Sequence, residues 1–223
     1  MTSRIAEKRD GQRQALIDAA ERALLDHPLQ GGFGDAAERA ILRDGLAGLK
    51  ARDLAAEIGV SLGAIYNIVE DLDELALRVA SRTLSRLDAA LEAAAEEAAG
   101  RLEPGREAAG RRLVAVALAY RRFASDNEQL WRALFDFARG GGRPPPDWAA
   151  GESMALFRHI RAPLIALMPD ADDGARAVTS ATLFSAVHGV VWLAFQKRLV
   201  AVPMDRLDAE LERLVTAIAA GLR

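Results

Sequence analysis

Apolar positions along this chain recur at helical spacing. From Ala51 to Ile58 they fall at Ala51, Leu54, Ala55 and Ile58, the i, i+3, i+4, i+7 stripe of one helix face. Gly59-Val60-Ser61 interrupts the stripe. Glycine takes the left-handed conformation that ends helices, and a serine beyond it accepts hydrogen bonds from the free N–H groups of the next helix. The pattern resumes from Leu62 to about Val69, with Ile65 and Val69 inward and Leu62, Gly63, Ala64, Tyr66 and Asn67 outward. Two short helices across a tight turn form a helix-turn-helix, whose second helix enters a DNA major groove.

The same periodicity predicts a first helix over Gln12–Leu25 and a Gly-rich connection near 26–44 that holds a helical stretch from Asp35 to Arg43. The connection reads either as an extra short helix leaning on the helix-turn-helix or as a mobile loop, and its glycines favour partial mobility. A long helix follows from Leu72 to about Ala99, with no breaker before Gly100. Further helices are predicted over Glu107–Ser125, Glu128–Arg139, Ala150–Met168, Ala175–Val200 and Pro203–Leu222, with Pro163 expected to kink or break the third of these,. Gly140–Pro146 reads as a loop,. No segment carries a defensible strand period. The expected fold is all-α: an N-terminal helix-turn-helix three-helix domain over residues 1–75, with an insertion near 26–44, and a larger helical domain over 76–223.

Composition narrows the chemistry. The Ala- and Leu-rich chain of 223 residues favours helices,. With no cysteine, disulfides, thiolate metal sites and cysteine nucleophiles are excluded. A net charge of −3 argues against indiscriminate polyanion binding by the whole chain, yet leaves room for a local basic face that meets phosphates. Arg4, Lys8, Arg9, Arg13, Lys50 and Arg52 are its candidates. The charged start lacks the apolar stretch of a secretory leader, and the apolar run near Val187–Phe195 is too short to span a bilayer,. The expectation is a soluble, cytoplasmic protein without a membrane partner. His27, His159 and His188 lack neighbours at metal-ligand spacing,. Gly140–Gly142 is followed by Arg143 and Pro144 instead of a phosphate-binding Lys-Ser/Thr pair,. No nucleophile–base set can be assembled, so no catalysis, cofactor or metal is expected.

Gly45, Arg52-Asp53-Leu54-Ala55, Gly59-Val60-Ser61 and Gly63-Ala64-Ile65-Tyr66, continuing through Leu75, resemble the N-terminal DNA-binding domain of TetR-family transcriptional regulators. Residues 118–135 (LAYRRFASDNEQLWRALF) and Phe184-Ser185-Ala186-Val187-His188-Gly189 resemble a C-terminal subfamily named for a Trp-x-x-x-His-Gly signature, with Phe184 in place of Trp. The resemblance implies a ligand-responsive repressor that binds a double-stranded, pseudo-palindromic operator as a homodimer through its last two helices. It places DNA contacts at Lys50, Arg52, Ser61, Leu62, Gly63, Ala64, Tyr66 and Asn67. Of these, Asn67 is suited to pair with adenine and Leu62 and Ala64 to touch thymine methyls. It also implies an inducer pocket. The candidate lining residues are Tyr120, Phe123, Trp131, Phe135, Met154, Phe157, His159, His188 and Trp192, which suit a small apolar or aromatic effector. Aromatic side chains at helical spacing also fill cores routinely.

The residues independently favour the dimer, against the alternative that both helices bury within the chain's own core. The stretch 178–199 is apolar on more than one face, and Leu207, Leu211, Leu214, Val215 and Ile218 stripe the last helix,. Three positions depart from the family pattern. Lys50 replaces a capping Ser or Thr, Val69 an aromatic, and Leu72 a phosphate-binding Lys, with Glu70, Asp71, Asp73 and Glu74 beside it. A second reading therefore stands beside the repressor: a helical dimer that senses a small molecule or docks a protein, with weakened or lost DNA binding.

Overall fold

The computed structural model describes residues 32–100, 103–136, 147–196 and 201–222. They form ten α-helices and one 3-10 turn, with no strand among the described residues. The helices are α1 (Gly32–Asp44), α2 (Ala51–Ile58), α3 (Leu62–Ile68), α4 (Leu72–Ala99) and α5 (Arg106–Asp126). The others are α6 (Glu128–Asp136), α7 (Asp147–Ala155), α8 (Arg158–Leu167), α9 (Asp173–Phe195) and α10 (Leu207–Gly221); the 3-10 turn is Leu46–Gly48. The predicted helix Gln12–Leu25 lies outside the described residues.

By contacts the chain divides into two compact units, one of Met1–Thr83 with Gln129–Pro144 and the other of Leu84–Glu128 with Pro145–Arg223. This differs from a single boundary at residue 75. The first unit takes α4 as far as Thr83, and it recruits α6 from the second half of the sequence.

The first unit is built on a buried cluster that joins α1, α2, α3, the start of α4 and α6. Phe33 and Ile41 come from α1, Leu54 from α2, Ile65 from α3, Leu75 and Val79 from α4, and Leu130 and Ala133 from α6. Of the two readings of the 26–44 connection, helix α1 bears out the extra helix packed on the helix-turn-helix: Phe33, Ala36, Ala37, Ala40 and Ile41 are all buried, a full helical stripe inside the core. Ion pairs pin its outer side, Arg39 to Glu57 of α2 at 2.8 Å and Arg82 of α4 to Asp35 at 2.9 Å.

Gly48 lets the 3-10 turn press directly on α1. A Cβ there would sit 2.5 Å from the Ala40 carbonyl oxygen and 2.9 Å from the Asp44 Cβ. The first obstacle is backbone and cannot swing aside. Gly48→Ala is expected to destabilise this unit by about 3 kcal/mol, the upper end of overpacking costs. Thermal denaturation followed by circular dichroism checks it.

In the second unit α5 packs against α8, α9 and α10, and α9 also packs against α8 and α10. Pro163 breaks nothing. It sits within α8, and the break falls earlier, at Leu156 and Phe157, where three-residue bonds run from Phe157 N–H to the Met154 carbonyl and from His159 N–H to the Leu156 carbonyl. Two arginines close helix ends here: Arg106 donates to the carbonyls of Leu167 and Leu222, and Arg176 to that of Met168. Helix α9 extends back to Asp173 and, by length and composition, is long and apolar enough to cross a membrane, in contrast to the short run read from the sequence. Buried core helices pass the same test.

Candidate DNA-reading surface and aromatic cluster

The helix-turn-helix forms where the apolar stripe predicts it. Lys50 precedes α2 in extended conformation and makes no side-chain cap. Gly59 ends α2 in the left-handed region at φ 75°, and the Val60 N–H donates to the Ala55 carbonyl at 3.0 Å, the closure of a Schellman ending. Ser61 then caps α3, its hydroxyl oxygen accepting from the Ala64 N–H at 3.2 Å. Arg52 of α2 is exposed, as are Lys50 and Ser61.

On α3 the outward side chains are Leu62 (40% exposed), Tyr66 (52% exposed) and Asn67, with Gly63 beside them. Ala64 is 3% exposed, which removes it from the candidate contacts. It shares the inward face with Ile65 and, one turn on, Ile68, so its methyl cannot reach a base.

The positions that depart from the family pattern have structural tasks. Val69 is buried in the unit's core and Leu72 packs against that core. Two of the four flanking acids cap α4. The Asp71 carboxylate accepts from the Glu74 N–H at 2.7 Å, and the Glu74 carboxylate from the Glu70 N–H at 2.7 Å, close to a capping box. Arg78 also pairs with Glu74. The Glu70 N–H holds the Glu74 carboxyl below its usual 4.5; desolvation opposes it, and Arg78 adds to the lowering. A depressed carboxylate contributes stability that is complete above its unfolded value and disappears as pH falls through the folded one. The melting-temperature difference between wild type and Glu74→Gln is therefore expected to be steady at neutral pH and to shrink below pH 4.5.

The second unit gathers an aromatic cluster. Phe184, His188 and Trp192 follow one another at i, i+4, i+8 along α9. Phe184 and His188 are stacked with centroids 5.3 Å apart, and His188 and Trp192 lie 5.7 Å apart. Phe157 approaches Phe184 to 5.3 Å, and Tyr120 meets it edge-on at 6.1 Å. The Tyr120 hydroxyl and His188 Nδ1 are hydrogen-bonded at 2.7 Å. Phe157, Phe184, His188 and Trp192 are half-buried and Tyr120 is buried. Thus four of the candidate lining residues come together, with Phe184 added, and Phe123 is buried one turn beyond Tyr120 on α5.

Four candidates do not join them. Trp131 and Phe135 pair with each other at 5.5 Å on α6, and that segment belongs to the first unit. The reason is the helix end at Asn127, whose side-chain amide donates to the Phe123 carbonyl. It separates two aromatic groups that look continuous in sequence. Met154 is 64% exposed on α7. His159, also a lining candidate, is instead buried against carboxylates: its Nε2 lies 2.9 Å from Asp88, which Arg158 also binds. Arg158 first, then His159, holds the Asp88 carboxyl below its usual range. The spacing of Asp88 and Glu92 on α4 was the available signal for this network.

Residues 113–218 match the family described as "tetracyclin repressor-like, C-terminal domain"; both C-terminal segments quoted for the resemblance lie within that span. No curated protein matches the chain. Among solved structures, a protein of unknown function from Rhodococcus sp. RHA1 has 26% identity and a TM-score of 0.66, covering 91% of this chain and 95% of that one. The TetR family transcriptional regulator PfmR from Thermus thermophilus has 17% identity and a TM-score of 0.54, covering 84% and 97%. The multidrug binding protein EbrR, complexed with imidazole, has 18% identity and a TM-score of 0.57, covering 82% and 90%. Residues 113–218 are thus similar to the tetracyclin repressor-like C-terminal domain, and the chain shares the fold of solved TetR-family regulators.

Proposed function

We propose that this protein is a ligand-responsive repressor that binds a pseudo-palindromic operator as a homodimer. The observation that carries the reading is the outer face of α3, where Leu62, Gly63, Tyr66 and Asn67 are presented together by a helix capped through Ser61. Lys50 and Arg52, exposed at the start of α2, supply phosphate contacts, since the first helix of such a motif crosses the backbone.

The aromatic cluster is the effector site. Its half-buried rings and single hydrogen-bonded Tyr120–His188 pair suit a small apolar or aromatic molecule, because sites of this kind combine apolar walls with few polar groups. EbrR, which shares the fold, is a multidrug binding protein. The chain itself supplies a route for the response. Helix α5, which carries Tyr120, passes through Asn127 into α6, whose Leu130 and Ala133 belong to the core beneath the helix-turn-helix. An effector that favours one arrangement of α5 then shifts the populations of DNA-competent states.

Dimerisation explains α9. Only 28% of its most apolar eighteen-residue window is buried within the chain, and Val178 (68% exposed) and Leu193 (44% exposed) lie on its open side. A second copy covers such a face.

The test is fluorescence anisotropy with the DNA upstream of the gene, followed by selection from a random duplex pool, each at two salt concentrations. Specific binding that weakens steeply with salt and falls roughly tenfold or more in Asn67→Ala is expected. A folded dimer that enriches no sequence at low salt overturns the proposal.

A further inference from the structure

The composition of the reading face restricts the operator it fits; this inference rests on the DNA-binding reading above. Among the residues of α3, LGAIYNI, there is no arginine or lysine. The strong bidentate contact to guanine comes from those two side chains, whereas an amide pairs bidentately with adenine and an apolar group meets the thymine methyl. The exposed groups are an amide at Asn67, an isobutyl group at Leu62 and the Tyr66 phenol. The first two match adenine and thymine, and the phenol also serves phosphate oxygens.

Gly63 adds an independent observation. Its φ is not among the positive ones, and a Cβ placed on it would meet only the Ser61 hydroxyl oxygen, at an ordinary 3.9 Å. Neither backbone conformation nor internal packing therefore requires glycine there. Glycine is also the poorest helix former after proline. It lies on the exposed face, between the two candidate base readers in sequence, where a missing side chain leaves room for contacts outside the chain. A bare backbone there lets α3 settle deeply enough for the short side chains of Asn67 and Leu62 to reach base edges.

We propose that each operator half-site presents A·T pairs to α3, with adenine opposite Asn67, a thymine methyl opposite Leu62, and no guanine read by this helix. The test begins with full-length protein and a random duplex pool. In the selected duplex, each half-site adenine is then replaced by 7-deazaadenine, which lacks the N7 acceptor, and each thymine by uracil, which lacks the methyl.

One adenine replacement is expected to weaken wild-type binding roughly 5- to 100-fold and to leave Asn67→Ala unaffected. One uracil replacement is expected to weaken wild type a fewfold and to leave Leu62→Ala unaffected. Gly63→Ala is expected to melt at or above the wild-type temperature while binding the duplex at least tenfold more weakly, an outcome that a structural role for Gly63 does not produce. Asn67→Arg is expected to select guanine at the position where wild type selects adenine. A half-site with guanine opposite α3 that survives in Asn67→Ala and Leu62→Ala, or base analogues whose effects do not depend on those side chains, overturns the proposal but leaves the DNA-binding reading intact. A selection that enriches nothing overturns both.

Discussion

Phe33→Ala is expected to cost the first unit about 3–5 kcal/mol, the range for emptying a buried aromatic site. Phe33 is fully buried, as are Ala36 and Ala37 beside it, and small neighbours on a rigid helix collapse poorly into the space a phenyl ring vacates. Folded domains are stable by about 5–15 kcal/mol, so the loss takes a large share of the unit's stability. DNA binding should fall with it, although Phe33 lies on the inner side of α1, within the buried cluster. Because the chain holds two compact units, a fall in melting temperature does not by itself say which of them has loosened. Amide hydrogen exchange resolves the effect. Peptides from α2 and α3 should lose protection in Phe33→Ala, while peptides from α5 and α10 keep it. Unchanged protection across α2 and α3 would falsify the assignment of Phe33 to their core.

The sequence hid Phe33 for a physical reason. Gly31-Gly32-Phe33-Gly34 has the composition of a connection, and glycine weakens a helix by about 1 kcal/mol relative to alanine. Burial of Phe33 and Ile41 outweighs that local preference, so α1 starts at Gly32. Where local and tertiary preferences agree, the sequence was legible. Helix α2 has the boundaries that its apolar stripe predicts, Ala51–Ile58, and α4 those set by the absence of breakers, Leu72–Ala99. Pro163 misled because proline's cost depends on whether its missing N–H is needed. Within α8 the loss is one bond, and the chain breaks instead at Leu156 and Phe157.

The candidate sites show the same division. Helical spacing alone places Phe184, His188 and Trp192 in one row, since i, i+4, i+8 positions share a face. It also distinguishes Leu62, Tyr66 and Asn67 from Ile65. Spacing says nothing about which body a helix joins. Trp131 and Phe135 look like neighbours of Tyr120 and Phe123, yet a helix end at Asn127 sends them into the other unit. The capping roles of Asp71 and Glu74 were hidden in a run of charge that reads as repulsion, because a capping carboxylate and a solvated one have the same letter.

Leu130→Ala is the sharper test of that division. Leu130 lies well beyond the helix-turn-helix in sequence, at the start of α6, and is 2% exposed in the same buried cluster as Leu54, Ile65 and Leu75. A leucine truncated in such a site costs about 2–5 kcal/mol, more where the cavity cannot close. The expected result is lost exchange protection in α2 and α3, with weaker operator binding, from a substitution that touches neither the reading face nor the aromatic cluster. Gln129→Ala, one residue earlier and exposed, should do neither, because a surface change usually stays within about 0.5 kcal/mol. If Leu130→Ala instead loosens only α5 and α10, α6 stabilises the second unit and does not belong to the first. If it loosens α2 and α3, the first unit is incomplete without a helix from the second half of the chain. A fragment ending near residue 75 would then lack a wall of its own core, and would fold poorly even with its helix-turn-helix intact.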